Sequence, residues 1–208
     1  MRFPLFIELE NRPCLVVGGG KVAARKAEAL AEFGAKVTVV AGMNGQDARS
    51  PGEGAGTDGQ DARSPGEEAF WRTGVPPVHV VRRRFVDGDV EGMALAVAAT
   101  DDPAVNRRVA DLCKAKGIPI NVVDDPANCT FVFPAIFRKG PIVVAVSSGG
   151  TCPVAAKLVR DRIAGLVPDD FASAVEDLGA RREELKRTYP DPRERMRVCE
   201  EALAKWKD

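Results

Sequence analysis

The stretch Cys14-Leu15-Val16-Val17-Gly18-Gly19-Gly20-Lys21-Val22-Ala23 decides the fold. A short apolar strand empties into glycines, and these lead into Ala24-Arg25-Lys26-Ala27-Glu28-Ala29-Leu30, a helical pattern that stops at Phe33-Gly34. Gly18 permits a tight turn, Gly20 leaves the backbone open to a pyrophosphate, and Ala23 is small enough for helix and strand to pack closely. Unpaired N–H groups at the start of the helix then face an anion. An isolated G-x-G-x-x-A serves as easily as a plain joint between strand and helix. Here a second apolar strand, Lys36-Val37-Thr38-Val39-Val40, follows Gly34-Ala35 and completes a right-handed crossover, which favours dinucleotide binding.

The acidic residue that usually holds the adenosine ribose, about 20 residues after the first glycine, has no counterpart here. The second strand ends Val39-Val40-Ala41-Gly42-Met43, so main-chain groups around Gly42 and Met43 are expected to hold the ribose instead. No arginine follows immediately to favour a 2′-phosphate.

A chain of 208 residues buries one substantial core or two small ones. Its 30 basic and 30 acidic side chains cancel, which gives no long-range attraction to nucleic acid or to an anionic membrane. An anionic ligand must therefore be held by local groups. Cys14, Cys113, Cys129, Cys152 and Cys199 are widely spaced and His79 is the only histidine, so neither a disulfide framework nor a structural zinc site is expected. The opening Met1-Arg2-Phe3-Pro4-Leu5-Phe6-Ile7-Glu8-Leu9 is too short and too soon charged for a signal peptide, and no membrane-length apolar run follows. A cytoplasmic protein without a membrane or nucleic-acid partner is expected.

From Gly42 to about Val75 the composition turns to Gly, Ser, Pro, Asp and Arg, and Gly45-Gln46-Asp47-Ala48-Arg49-Ser50-Pro51-Gly52 recurs as Gly59-Gln60-Asp61-Ala62-Arg63-Ser64-Pro65-Gly66. This reads as a low-complexity insertion. Val78-His79-Val80-Val81 predicts a strand with Arg82-Arg83-Arg84 at its solvated end, and Met93 to Ala99 a central strand buried on both faces. Asp101 or Asp102 caps the next helix, with Pro103 in its first turn. Thr100 and Asn106, at the carboxyl end of that strand, are placed to touch cofactor. The strand Ile118-Pro119-Ile120-Asn121-Val122-Val123 ends at Asp124-Asp125-Pro126, where Asp124 serves equally well as a catalytic base on the ligand-facing rim or as a turn cap.

Two β-rich runs, Thr130 to Phe137 and Pro141 to Val146, flank Arg138-Lys139-Gly140 as in a hairpin, and such an edge calls for a partner surface, naturally a second subunit. Ser147-Ser148-Gly149-Gly150-Thr151-Cys152-Pro153 then leads into a helix from about Val154 to Leu166. Hydroxyls and glycine amides at a helix start make a second anion site there. The remainder reads as two charged helices separated near Tyr189-Pro190-Asp191-Pro192.

Phe3-Pro4-Leu5-Phe6, Val17 to Lys26, Ala98-Ala99-Thr100-Asp101-Asp102, Asn121-Val122-Val123-Asp124 and Val144 to Thr151 together resemble the precorrin-2 dehydrogenase family, the dehydrogenase and ferrochelatase part of sirohaem synthase. The resemblance spans nearly the whole chain apart from the insertion. It implies NAD-dependent oxidation of precorrin-2 to sirohydrochlorin in a homodimer, and in some relatives insertion of Fe2+ to give sirohaem. It implies Asp124 as the catalytic group, Gly18, Gly19 and Gly20 with Lys21 and Val22 beside NAD, and Gly42 and Met43 at the ribose. Because it stops before the methyltransferase domain fused to some relatives, a stand-alone form is expected.

The expected architecture is α/β. A Rossmann-type NAD-binding domain occupies residues 1–125, with the insertion at about 42–75; a β-rich dimerisation segment 126–152 and a helical tetrapyrrole-binding domain 153–208 follow. Aromatising a reduced tetrapyrrole removes a hydride and a proton, so a base such as Asp124 beside a nicotinamide suits the reaction. The substrate's carboxylates suit Ser147, Ser148, Gly149, Thr151, Arg138 and Lys157. The competing reading is an NAD-binding regulatory module without catalysis. No metal ligands are expected.

Overall fold

The computed structural model describes residues 2–42 and 78–206. Met43 and the repeats lie outside them. The chain forms two compact units, one from Phe3 to Phe133 and the other from Pro134 onward together with Arg2. Residues 126–133 group with the first of these.

The first unit holds a five-stranded parallel sheet, in the order β3-β2-β1-β4-β5. Its strands are β1 (Pro13–Val17), β2 (Lys36–Ala41), β3 (His79–Arg82), β4 (Leu95–Ala98) and β5 (Ile120–Val122). Helix α1 (Lys21–Ala31) joins β1 to β2, and α2 (Pro103–Ala115) joins β4 to β5. The two-residue period of β1 splits the core. Cys14 and Val16 pack with Ala23, Ala27 and Leu30 of α1. Leu15 and Val17 face the other way, onto Val109, Ala110 and Cys113 of α2. Both faces are covered, which is why β1 and β4 read as unbroken apolar runs. The Rossmann-type expectation is borne out. Burial raises the thiols of Cys14 and Cys113 to about 11, so both are inert packing groups.

Between β3 and β4 a 3-10 turn, Asp87–Val90, is pinned by arginines. Arg83 Nη1 reaches Asp89 Oδ2 at 2.8 Å, and Arg108 Nη2 reaches Asp87 Oδ2 at 2.8 Å. The triple arginine is the solvated strand end the sequence suggested, with Arg83 committed to this turn. The capping choice falls on Asp102, whose Oδ1 accepts from Ala104 N at 2.8 Å.

The strand expected from Thr130 starts later than its composition suggests. The run beginning at Thr130 is irregular as far as Pro134, and β6 covers only Ala135–Lys139. Residues 129–131 are drawn to the free edge of β5, and Pro134 has no N–H to give a ladder. The Phe131 and Phe133 rings, 5.4 Å apart, pack on the α1 face of the core, and Lys26 Nζ stands 3.8 Å above the Phe133 ring. Burial, then the neighbouring Arg25, lowers the pKa of Lys26 from its ordinary value.

In the second unit β6 pairs antiparallel with β7 (Ile142–Val146), Lys139 facing Ile142, so Gly140-Pro141 forms the turn in place of Arg138-Lys139-Gly140. Helix α3 (Pro153–Gly165) packs on this hairpin. The carboxyl-terminal part contains α4 (Asp169–Ala180), α5 (Arg182–Thr188) and α6 (Pro192–Ala202), one helix more than expected. The extra break is at Arg181, whose backbone leaves the helical region just after Gly179. Asp191 caps α6 through Arg193 N at 2.9 Å. Among the described residues no helix is long and apolar enough to cross a membrane, and no three His, Cys, Asp or Glu gather as metal ligands.

Candidate functional site

Val40, Val17, Ala98 and Val122 stand in one row across the sheet. Because the strands are parallel, the residues that follow them leave the same edge: Gly18 after β1, Thr100 after β4 and Asp124 after β5. The chain crosses from one side of β1 to the other between β3 and β4, which puts the topological switch point at the carboxyl ends of β1 and β4, where open α/β sheets take their ligands.

Gly18 is built into this edge. Its N–H donates to Val40 O at 2.9 Å, its φ is +133°, and a Cβ placed on it would lie 2.3 Å from Ala99 O. Gly20 has the opposite surroundings. It is the N-cap of α1, with φ −80°, and among the described residues no side chain caps the helix, no acid stands in the first turn, and a Cβ on it would meet nothing within 4 Å. Lys21 is exposed, Gly19 and Val22 are half-buried, and Ala23 is buried against the sheet. Bare amides, an open approach and the positive end of α1 fit a pyrophosphate. Gly42 follows β2 and is exposed, a Cβ on it would meet none of the described residues within 4 Å, and no acid stands on that strand. Met43 lies outside the described residues.

Across the switch point, Asn106 is buried and closes the turn after β4. Its Oδ1 accepts from Thr100 N at 3.1 Å and lies 2.8 Å from Thr100 Oγ1, while its Nδ2 donates to Thr100 O at 2.8 Å. These bonds leave one Nδ2 hydrogen for anything else. Asn106→Leu strands the Thr100 groups, and an unfolding titration is expected to find a loss of about 1–3 kcal/mol with an unchanged denaturant slope. Wild-type stability in that variant removes the clip from the account of this turn.

The two aspartates after β5 divide their duties. Asp125 caps the turn Pro126–Asn128: its Oδ2 accepts from Asn128 Nδ2 at 2.7 Å and its Oδ1 from Asn128 N at 3.3 Å. The Asn128 hydrogen bonds chiefly hold its carboxyl below the usual range. Asp124 is exposed, has φ +58°, and among the described residues its carboxylate makes no hydrogen bond or ion pair. Nothing in the local fold requires that carboxylate.

The remaining residues expected at the site belong to the second unit. Ser147 Oγ accepts from Gly149 N at 3.2 Å and Ser148 Oγ accepts from Cys152 N at 3.0 Å. Both hydroxyls shape the loop and keep their protons free to donate. The N-cap of α3 is Cys152, and Thr151, Arg138 and Lys157 are exposed. Lys139 bonds Val167 O at 2.7 Å and Asp169 at 3.0 Å, a structural use. Cys129, whose contacts lie beside Asp124, belongs to no motif, because a dispersed thiol carries no local signal.

A parallel sheet with a bare glycine turn at its switch point defines a dinucleotide-binding protein of the Rossmann class. The chain belongs to the family described as "Putative NAD(P)-binding", whose model matches residues 5–135. It is 40% identical over 201 residues to the siroheme synthase of Ectopseudomonas mendocina, and 38% identical over 200 residues to that of Methylococcus capsulatus. Both alignments take in 96% of this chain and 38% of the relative, so the chain spans well under half the length of these curated relatives. Among solved structures, one named "SirC, precorrin-2 dehydrogenase" has the same fold, with a TM-score of 0.68 at 20% identity, covering 100% of this chain and 90% of that one. The resemblance read from the motifs is thereby matched, and the cofactor is a nicotinamide dinucleotide.

Proposed function

We propose that this chain is a precorrin-2 dehydrogenase, oxidising precorrin-2 to sirohydrochlorin with reduction of NAD and release of one proton. The observation that carries the reading is Asp124, a spare carboxylate on the cofactor edge of the sheet whose neighbour Asp125 has taken over the local cap. The printed names of the relatives and of the structural neighbour supply the substrate.

The dinucleotide, when bound, supplies the hydride acceptor. Gly18, Gly19 and Gly20 with the amides of Lys21 and Val22 hold its pyrophosphate, Thr100 and the Asn106-braced turn border it, and Gly42 and Met43 serve the ribose. Asp124 accepts the proton that leaves as the ring aromatises. Ser147, Ser148, Gly149, Thr151, Arg138 and Lys157 bind substrate carboxylates. In this reading residues 1–125 bind NAD, 126–152 mediate dimerisation and 153–208 bind the tetrapyrrole.

A homodimer is part of the proposal. The second unit taken alone buries little: Val154 is 64% exposed, Leu158 66% and Leu166 75%. Phe3, Leu5 and Phe6 of the first unit are exposed as well. Apolar area on this scale calls for a covering surface, and a second copy supplies it. Five free cysteines, two of them fully buried, suit the reducing cytoplasm.

The test is an anaerobic assay of purified protein with precorrin-2 and NAD, followed optically, with Fe2+ then added as the substrate of the second activity. Equimolar NADH and sirohydrochlorin are the expected products, and sirohaem after iron shows the chelatase. NAD binding without turnover would instead establish the regulatory module.

A further inference from the structure

β5 is an edge strand, so the N–H and C=O groups that Ile120 and Val122 turn away from β4 have no ladder to join. The loop that follows supplies side chains for them. Thr130 Oγ1 accepts from Ile120 N at 2.8 Å, and Ile120 O accepts from Thr130 N at 2.9 Å. One pleat further on, Val122 N donates to Cys129 Sγ at 3.1 Å, and the same sulfur lies 3.1 Å from Val122 O and 3.3 Å from Asp125 O. Its single proton serves either carbonyl. The half-buried thiol is thus bonded to backbone on both sides of Asp124.

What it encloses is strained. Asp124 has φ +58°, a left-handed conformation that non-glycine residues keep only when their surroundings enforce it. A second brace supports the far side, with Asn128 on Asp125 and Lys114 Nζ on Asn128 Oδ1 at 2.7 Å. On the strand side the turn's own bond, Asp125 N to Val122 O, is long at 3.4 Å, and among the described residues the thiol is the side chain that reinforces it.

We propose that Cys129 is a positioning residue for Asp124: its sulfur, bonded to the backbone before and after that aspartate, holds the left-handed turn and so sets where the carboxylate stands. The catalytic part of this inference rests on the dehydrogenase reading. The structural part does not.

The experiment compares Cys129→Ala and Cys129→Ser in the full chain, by amide hydrogen exchange and by steady-state kinetics with precorrin-2 and NAD. In Cys129→Ala, exchange at Val122 to Asp125 is expected to rise about ten-fold, with β1 unchanged, as local opening without global loss requires. Its kcat is expected to fall about ten-fold, the cost of a slightly misplaced catalytic group, with KM for NAD unmoved. Cys129→Ser, which keeps a donor and an acceptor, is expected to recover both. Placed on Asp124→Asn, Cys129→Ala is expected to lower kcat no further, since residues acting as one unit are not additive. Unchanged exchange in Cys129→Ala, faster exchange with wild-type kcat, a Ser variant as impaired as the Ala one, or losses that multiply in the double variant would each overturn the proposal. If the wild-type chain does not oxidise precorrin-2, the dehydrogenase reading falls, and the exchange comparison alone decides whether Cys129 holds the turn.

Discussion

Asp124→Asn is expected to lower kcat for precorrin-2 oxidation by about 10²–10⁴-fold, the range a positioned acid–base group supplies, while NAD binds as it does to the wild type. The choice of asparagine matters. Asp124 has φ +58°, and asparagine tolerates that region as well as aspartate does, so the variant keeps the turn and removes only the charge and the proton acceptor. Alanine would add a backbone penalty of about 1–2 kcal/mol and confuse the reading. Because Asp125 already carries the cap, the loss has no structural route to kcat. Stopped-flow turnover together with calorimetric NAD titration checks both halves. Wild-type turnover would remove Asp124 from the mechanism, and weakened NAD binding would mean that its carboxylate serves the cofactor instead.

The contrast between Asp124 and Asp125 shows where sequence reading runs out. Asp-Asp-Pro after a strand says that one aspartate caps the turn but not which, because the choice depends on Asn128 swinging back onto Asp125. The same applies to Asp101 and Asp102. Signals carried by local periodicity were legible: the glycine turn, the apolar runs of β1 and β4, and α1 with its small residues. Thr130 to Phe133 has the composition of a strand, yet its course is set by the vacant edge of β5 and by the core beneath Phe131 and Phe133, neither of which is local. Cys129 was illegible for the same reason, since its partners Val122 and Asp125 are brought to it only by the fold. The extra helix break at Arg181 follows no proline and has only Gly179 nearby, a weak stop signal.

Gly18 and Gly20 look alike in the sequence, yet substitutions at the two are expected to act in opposite directions on stability. A Cβ at Gly18 would sit 2.3 Å from Ala99 O and 2.7 Å from its carbonyl carbon, both backbone atoms of the neighbouring strand end, at a φ of +133°. Gly18→Ala therefore meets backbone strain and overpacking together, and an unfolding titration is expected to show a loss of about 2–5 kcal/mol. A Cβ at Gly20 meets none of the described residues within 4 Å, and the φ of −80° suits any residue. Gly20→Ser also gives α1 the side-chain cap it lacks, so its melting temperature is expected to hold or rise. That gain works against the ligand. The new hydroxyl takes an amide at the helix start, and its Cβ fills the approach that the pyrophosphate uses. NAD affinity is expected to fall at least about ten-fold, or about 1.4 kcal/mol, in a protein no less stable than the wild type. A Gly20→Ser chain that binds NAD unchanged would take the pyrophosphate away from this turn, whereas a stable Gly18→Ala chain would mean that β1 and β4 part more easily than their close approach implies.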